Sequence, residues 1–425
     1  MKYFYIDEIK DPNYNFVKKT IFSFLIIFIV LPVAYYLYSS ITKDQPLWSI
    51  PIEKNGLNAI NSITKSKKGY LLTTGSSRGV VKIIEIDEKG KEIWNKKFTS
   101  QGHMSSLGIE TNENFIISYQ EKYNNSVFRK SGVTKILDKK NYRVLAKIPY
   151  FFKSIALCEK GFLGFAEDNK IFRFDENGKE IWEKEIFYDT QSKSFTQRFM
   201  NYYNKEGVIK RKRLPDIRFK KVIKTSDNNY ILIAREPFLM MKINKEGDVI
   251  WKNDFTDSFS GEFIDIIELK DKSFLSLIYI YPNKLSKVRK GGIGLTKISS
   301  VGKIEWSNEL ISKNDLPFTR GFKPFKKNKY FFSAHDINNK SRSINNFFVI
   351  DKNGIILEEK SFDIKGSSEA IISSIISMDD GGVLLGGYAY FSKKVPFTIG
   401  KKTYETTKNT TAGLLYKIPP TKSFK

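Results

Sequence analysis

The sequence predicts an all-β fold: a seven-bladed β-propeller closed by its own N-terminal strand and preceded by one transmembrane helix. Three observations predict it. A D-x-x-G turn leading into a tryptophan-bearing strand recurs along the chain. Seven copies of an apolar strand, opening at Gly69, Asn114, Gly161, Asn229, Ser273, Lys329 and Gly382, keep step with it. The last unit lacks its final strand, and a matching strand stands far upstream, just after an uncharged apolar run.

The elements follow in chain order. Residues 1–20 form a short polar tail expected in the cytoplasm. Residues 21–41 carry no charge and are long enough to cross a bilayer as a helix. Tyr35, Tyr36 and Tyr38 cluster near one end, as interfacial aromatics do, and Lys18 and Lys19 flank the other. Bulky Leu37 and Tyr38 stand where a cleaved leader needs small residues, so the run reads as an uncleaved signal anchor. Residues 42–46 are a linker, 47–418 the propeller and 419–425 a tail. The expected location of the propeller is periplasmic or extracellular.

The repeat is carried by turn chemistry. Asp87, Gly90 and Trp94 recur as Asp175, Gly178 and Trp182, then as Asn244, Gly247 and Trp251, and as Ser299, Gly302 and Trp306. Asp351 and Gly354 form a copy without the tryptophan, and Asp138 with Asn141 a degraded one in which Asn141 is expected to replace the glycine. A short polar residue closes each turn, and glycine takes the positive φ that other residues resist. Alternating strands on both sides make four per unit, the pattern of propeller blades. The seventh unit ends at Ile418 without a turn or fourth strand. Leu47–Ile52 aligns with Ile93–Phe98 and supplies it, which puts Trp48 at the same repeat position as the other four tryptophans. All five are expected to pack between blades.

This repeat resembles the PQQ-like, quinoprotein-type propeller repeat over roughly residues 47–418, with one residue fewer between the aspartate and the glycine. The resemblance implies architecture only, because propellers host many unrelated roles.

Chemistry is sparse. His103 and His335 are the only histidines and Cys158 the only cysteine, so no disulfide, thiolate cluster or vicinal cysteine pair can form within the chain. Cys158 lies in an apolar run and is expected to be a small buried side chain. No metal, cofactor or catalytic residue is assigned. Enzyme activity is the lesser expectation; its form would be a periplasmic glycan- or quinone-dependent enzyme working in the propeller channel.

The formal net charge is +25, of which residues 1–42 carry only +1. That surface attracts polyanions, though lysine-rich composition alone could produce it. Residues 188–221, between blades three and four, hold ten basic residues, among them Lys210, Arg211, Lys212, Arg213, Arg218, Lys220 and Lys221. Residues 121–132, 281–291 (with Lys287, Arg289 and Lys290) and 391–411 are further expected loops. In a propeller all four fall on one face, and the tight turns on the other. Insertions confined to one face of a repeat array mark a binding face. The expected function is a membrane-anchored binding scaffold whose basic loop face takes a protein or acidic polymer. A third alternative is an electrostatic binder of nucleic acid, the least expected partner. The short linker predicts the tight-turn face toward the membrane.

Overall fold

The computed structural model describes residues 48–52, 58–76, 79–99, 106–123, 130–166, 169–186, 217–235, 238–256, 261–281, 292–312, 318–326, 328–337, 343–362, 369–399 and 402–418. The expected transmembrane segment lies outside them. Among the described residues, no helix is long and apolar enough to cross a membrane.

Among the described residues, twenty-eight strands form seven four-stranded antiparallel sheets. Six sheets take their strands in chain order, spanning 58–99, 106–148, 154–185, 219–254, 261–312 and 318–362. We number these blades 1 to 6. Blade 7 holds Glu369–Ser377, Val383–Ile399 and Lys402–Ile418, with Trp48–Ile52 beside the last of these. Trp48 stands opposite Lys417 and Ile52 opposite Gly413.

The turns form for the reason the sequence suggests. Gly90, Gly178, Gly247, Gly302 and Gly354 all adopt φ between 82° and 86°. Asp87 Oδ1 accepts the N–H groups of Lys89 and Lys91, and Asp175, Asn244 and Asp351 repeat the arrangement. Ser299 keeps one such bond, from Lys303 N. Blade 2 departs from expectation. Tyr142, not Asn141, takes the positive φ of 57°. The turn closes one residue later, Tyr142 N donating to Asp138 O. Asn141 instead accepts Arg143 N through its side chain. Tyr142 tolerates the left-handed conformation because its ring stacks on Trp94, 4.1 Å between centroids.

The core is not one mass but seven seams, each shared by two successive blades. Ile83, Phe98, Phe115 and Val133 join blades 1 and 2, and Leu232, Met241, Leu163 and Phe165 join blades 3 and 4. Ile60, Ile63, Leu72 and Ile84 meet Met378, Leu384 and Leu415 across the seam between blades 7 and 1, so the ring is complete. The four described tryptophans lie at these seams, where Trp94, Trp182 and Trp251 cover the next blade's turn and Trp306 packs against the core shared by blades 5 and 6. Trp182 lies over Gly247 and donates to Lys245 O at 3.2 Å; Trp251 lies over Gly302 and donates to Ser300 O at 3.2 Å. Trp94 is buried and donates to the buried carboxylate of Glu85 at 2.6 Å. Trp182, Trp251 and Trp306 are only half-buried, because their outer edge faces solvent at the rim. The side chain of Trp48 lies outside the description.

A second departure concerns 391–411. It is not an irregular loop. Val383–Ile399 and Lys402–Ile418 run on as one continuous hairpin, paired from Val383↔Ile418 to Ile399↔Lys402.

Candidate functional site

The innermost strands of the blades line the channel, and small polar residues tie them together. Ser374 Oγ accepts Ile63 N of the next blade at 2.9 Å, and Ser62 Oγ accepts Gly108 N at 3.2 Å. Both serines directly follow a one-residue bulge in their strand. The bulge turns that residue toward the neighbouring blade. Blades 4 and 5 carry the same bulge, but there the residue is Lys221 and Asp265. Where two blades use a serine, these two use a charged pair.

Asp265 is buried. Its Oδ1 accepts Lys221 Nζ and also Ile266 N, while Oδ2 accepts Phe322 N of blade 6 at 3.0 Å. Lys323, on the inner strand of blade 6, adds a second cation near the same carboxylate. Burial works to raise the Asp265 carboxyl, but the two lysines and the hydrogen bonds hold it below the usual range. Burial pushes Lys221 down to about 8, with Lys323 adding to the effect and Asp265 opposing it.

A second group lies nearer the loop face. Glu262 is buried at the start of the inner strand of blade 5 and pairs with Arg235, with Lys220 Nζ 4.0 Å away. Tyr281 follows the second strand of blade 5, and burial together with Glu262 pushes its hydroxyl up to about 12. Arg218 joins the group through its carbonyl, which accepts Arg235 N at 2.9 Å. Across blades 4 to 6, Lys220, Lys221, Arg235 and Lys323 thus stand around Glu262 and Asp265. The excess is positive, and it is concentrated on the loop side of the channel.

Among the predicted binding residues, Arg218 is placed at this mouth. Lys210, Arg211, Lys212, Arg213, Lys287, Arg289 and Lys290 lie outside the described residues, as does His103. Lys220 and Lys221, expected in a loop insertion, belong instead to the strand Phe219–Lys224. The two lysines are adjacent, and the bulge between Phe219 and Lys221 breaks the strand's alternation there. Arg235, Glu262, Asp265 and Lys323 were not singled out from sequence. The available signal was Asp265 itself, a carboxylate inside the apolar run from Phe263 to Ile267.

Elsewhere the chemistry is quiet. His335 is buried in blade 6. Cys158 is half-buried, accepts Tyr230 Oη at 2.8 Å, and burial pushes its thiol up. Among the described residues no group of histidine, cysteine or acidic side chains is placed to hold a metal ion.

No family model matches the chain, and no curated protein does. Solved structures do match in fold. The chain is similar to BamB from Moraxella catarrhalis at 10% identity, covering 88% of this chain and 99% of that one with a TM-score of 0.45. Virginiamycin B lyase from Staphylococcus aureus matches at 14% identity, covering 87% and 99% with a TM-score of 0.49. A chain of the mitotic checkpoint complex matches at 7% identity, covering 80% and 92% with a TM-score of 0.50. At 7–14% identity these likenesses bear on the fold alone.

Proposed function

We propose that the protein is a membrane-tethered scaffold of the bacterial cell envelope that captures an acidic protein or polymer on the loop face of its propeller. One observation carries this reading: at the bulge position where blades 1 and 7 place serine and blade 6 places Phe322, blades 4 and 5 place Lys221 and Asp265, within a cluster whose net charge is positive. A purely architectural role is met there by serine or phenylalanine. Lys221 and Asp265 pair with each other, which offsets the cost of burying them, and the positive excess around the pair supports a use for charge. Lys210 to Arg213 precede this strand by a few residues in the sequence and are of the same basic character.

The uncharged run 21–41 supports the tether, with the propeller outside the cytoplasm. In this reading Trp48–Ile52 latches the ring by covering the outer edge of blade 7.

The test is charge reversal of Lys210, Arg211, Lys212 and Arg213 to glutamate in the full chain, followed by recovery from native membranes. The expected result is loss of co-purifying acidic partners with an unchanged circular dichroism spectrum. Recovery of the same partners by the reversed chain would end the proposal.

A further inference from the structure

The hairpin of blade 7 outruns its sheet. The innermost strand stops at Glu369, opposite Tyr390, and the N-terminal strand stops at Ile52, opposite Gly413. From Phe391↔Thr410 to Ile399↔Lys402 the two long strands pair only with each other among the described residues. Nine such pairs make an arm roughly 30 Å long on the loop face. A two-stranded ribbon is marginally stable in water, so an arm of this length has a use for another strand.

The two edges of the arm differ. On one, Pro396 interrupts the row of N–H donors, the device by which edge strands are kept from pairing. On the other, residues 402–412 contain no proline and no glycine and are rich in threonine, a strand former. That edge is continuous with the one Trp48–Ile52 already occupies.

The prolines also fix which groups face outward. Pro51 stands opposite Leu414 and has no N–H, so this is a non-hydrogen-bonded pair. Gly413, Leu415 and Lys417 therefore direct their backbone groups at the N-terminal strand. Pro396 opposite Glu405 gives the same parity independently. Thr403, Glu405, Thr407, Asn409 and Thr411 then present N–H and C=O along the open edge.

We propose that this edge, Lys402–Ala412, captures an extended acidic segment of a partner protein as an added β-strand. Backbone hydrogen bonds supply the register, as in other strand-addition complexes. Charge selects the occupant: residues 391–411 carry Lys393, Lys394, Lys401, Lys402 and Lys408 against Glu405 alone. The same lysines oppose pairing with a second copy of the arm. The proposal rests on the reading of the loop face as a binding face, but uses residues separate from Lys210–Arg213.

The probe is a fluorescein-labelled decapeptide alternating valine and glutamate, with a valine–lysine decapeptide as its counterpart. Anisotropy is read with the full chain in detergent micelles. The acidic peptide should bind saturably and the basic one should not. Thr407→Pro removes an outward N–H without touching the ribbon's own ladder and should weaken binding at least tenfold; the pair Lys402→Glu and Lys408→Glu should do the same. Reversal of Lys210–Arg213 should leave peptide binding intact, which separates this proposal from the broader one. Equal binding by a chain whose residues 391–411 are replaced by two glycines would overturn it. So would an arm-dependent dimer in sedimentation, or indifference to the sign of the peptide.

Discussion

Replacing Lys221 by methionine tests the electrostatics of the channel directly. The Lys221 side chain is 21% exposed and faces Asp265, with Lys323 beside the same carboxylate and Glu262, Lys220 and Arg235 nearer the loop face. Burial lowers its pKa from 10.5 to about 8, so the folded chain releases this proton before the unfolded chain does. Between those two values the unfolded state holds more protons, and stability rises with pH. Below about 8 the lysine is ionised in both states, and the cost of burying it is constant. The gap between 10.5 and about 8 corresponds to about 3 kcal/mol. Wild type should therefore gain about 3 kcal/mol relative to Lys221→Met between about pH 7 and pH 11. Titrating groups that do not interact with Lys221 cancel in that difference. The assay is urea unfolding of both full chains in detergent, followed by tryptophan fluorescence at each pH. A difference that stays flat, or that falls as pH rises, would refute the assignment of Lys221 as a buried cation.

Three further outcomes follow from the turns and seams. Gly247→Ala forces a side chain into φ of 82° with its Cβ 2.8 Å from the Trp182 ring, and should destabilise by about 1–3 kcal/mol in chemical denaturation. Trp94→Ala should cost about 3–5 kcal/mol, since its ring is buried and its loss leaves Glu85 short of a donor, whereas half-buried Trp182→Ala should cost about 2 kcal/mol. Deleting residues 1–53 should leave the seam between blades 7 and 1 intact but open the outer edge of Lys402–Ile418, so light scattering should show earlier aggregation on heating while the far-ultraviolet spectrum is retained.

The blades were legible because each turn is local: Asp87 and Gly90 determine their hairpin within four residues, and the repetition shows it five times over. Blade 2 misled because αL is open to several residue types, and the choice of Tyr142 over Asn141 depends on a ring from the neighbouring blade. The arm read as a loop because its lysines, its threonines and Pro396 mask the alternation of Val395, Phe397 and Ile399. The charged cluster was hidden for a different reason. Lys221 and Asp265 are 44 residues apart, and Asp265 and Phe322 are 57 apart, so only the curvature of the ring brings them together. Period-2 alternation shows that a residue points off a strand, but not which neighbouring strand it will meet.

The seam between blades 7 and 1 also governs how the chain can be made. Ile63 N reaches Ser374 Oγ across 311 residues, and Lys65 pairs with Asp379 across 314. Each other seam can zip as soon as two consecutive blades have emerged. This one must wait for nearly the whole polypeptide. Until then blade 1 shows Ile60, Ile63, Leu72 and Ile84 to its surroundings, an oily flank on the oldest part of a growing chain. Contacts of such long separation form slowly, and exposed apolar flanks invite off-pathway association in the meantime. The first blade synthesised is thus the last to be covered on both sides, and its protection is a question of timing during synthesis as much as of equilibrium.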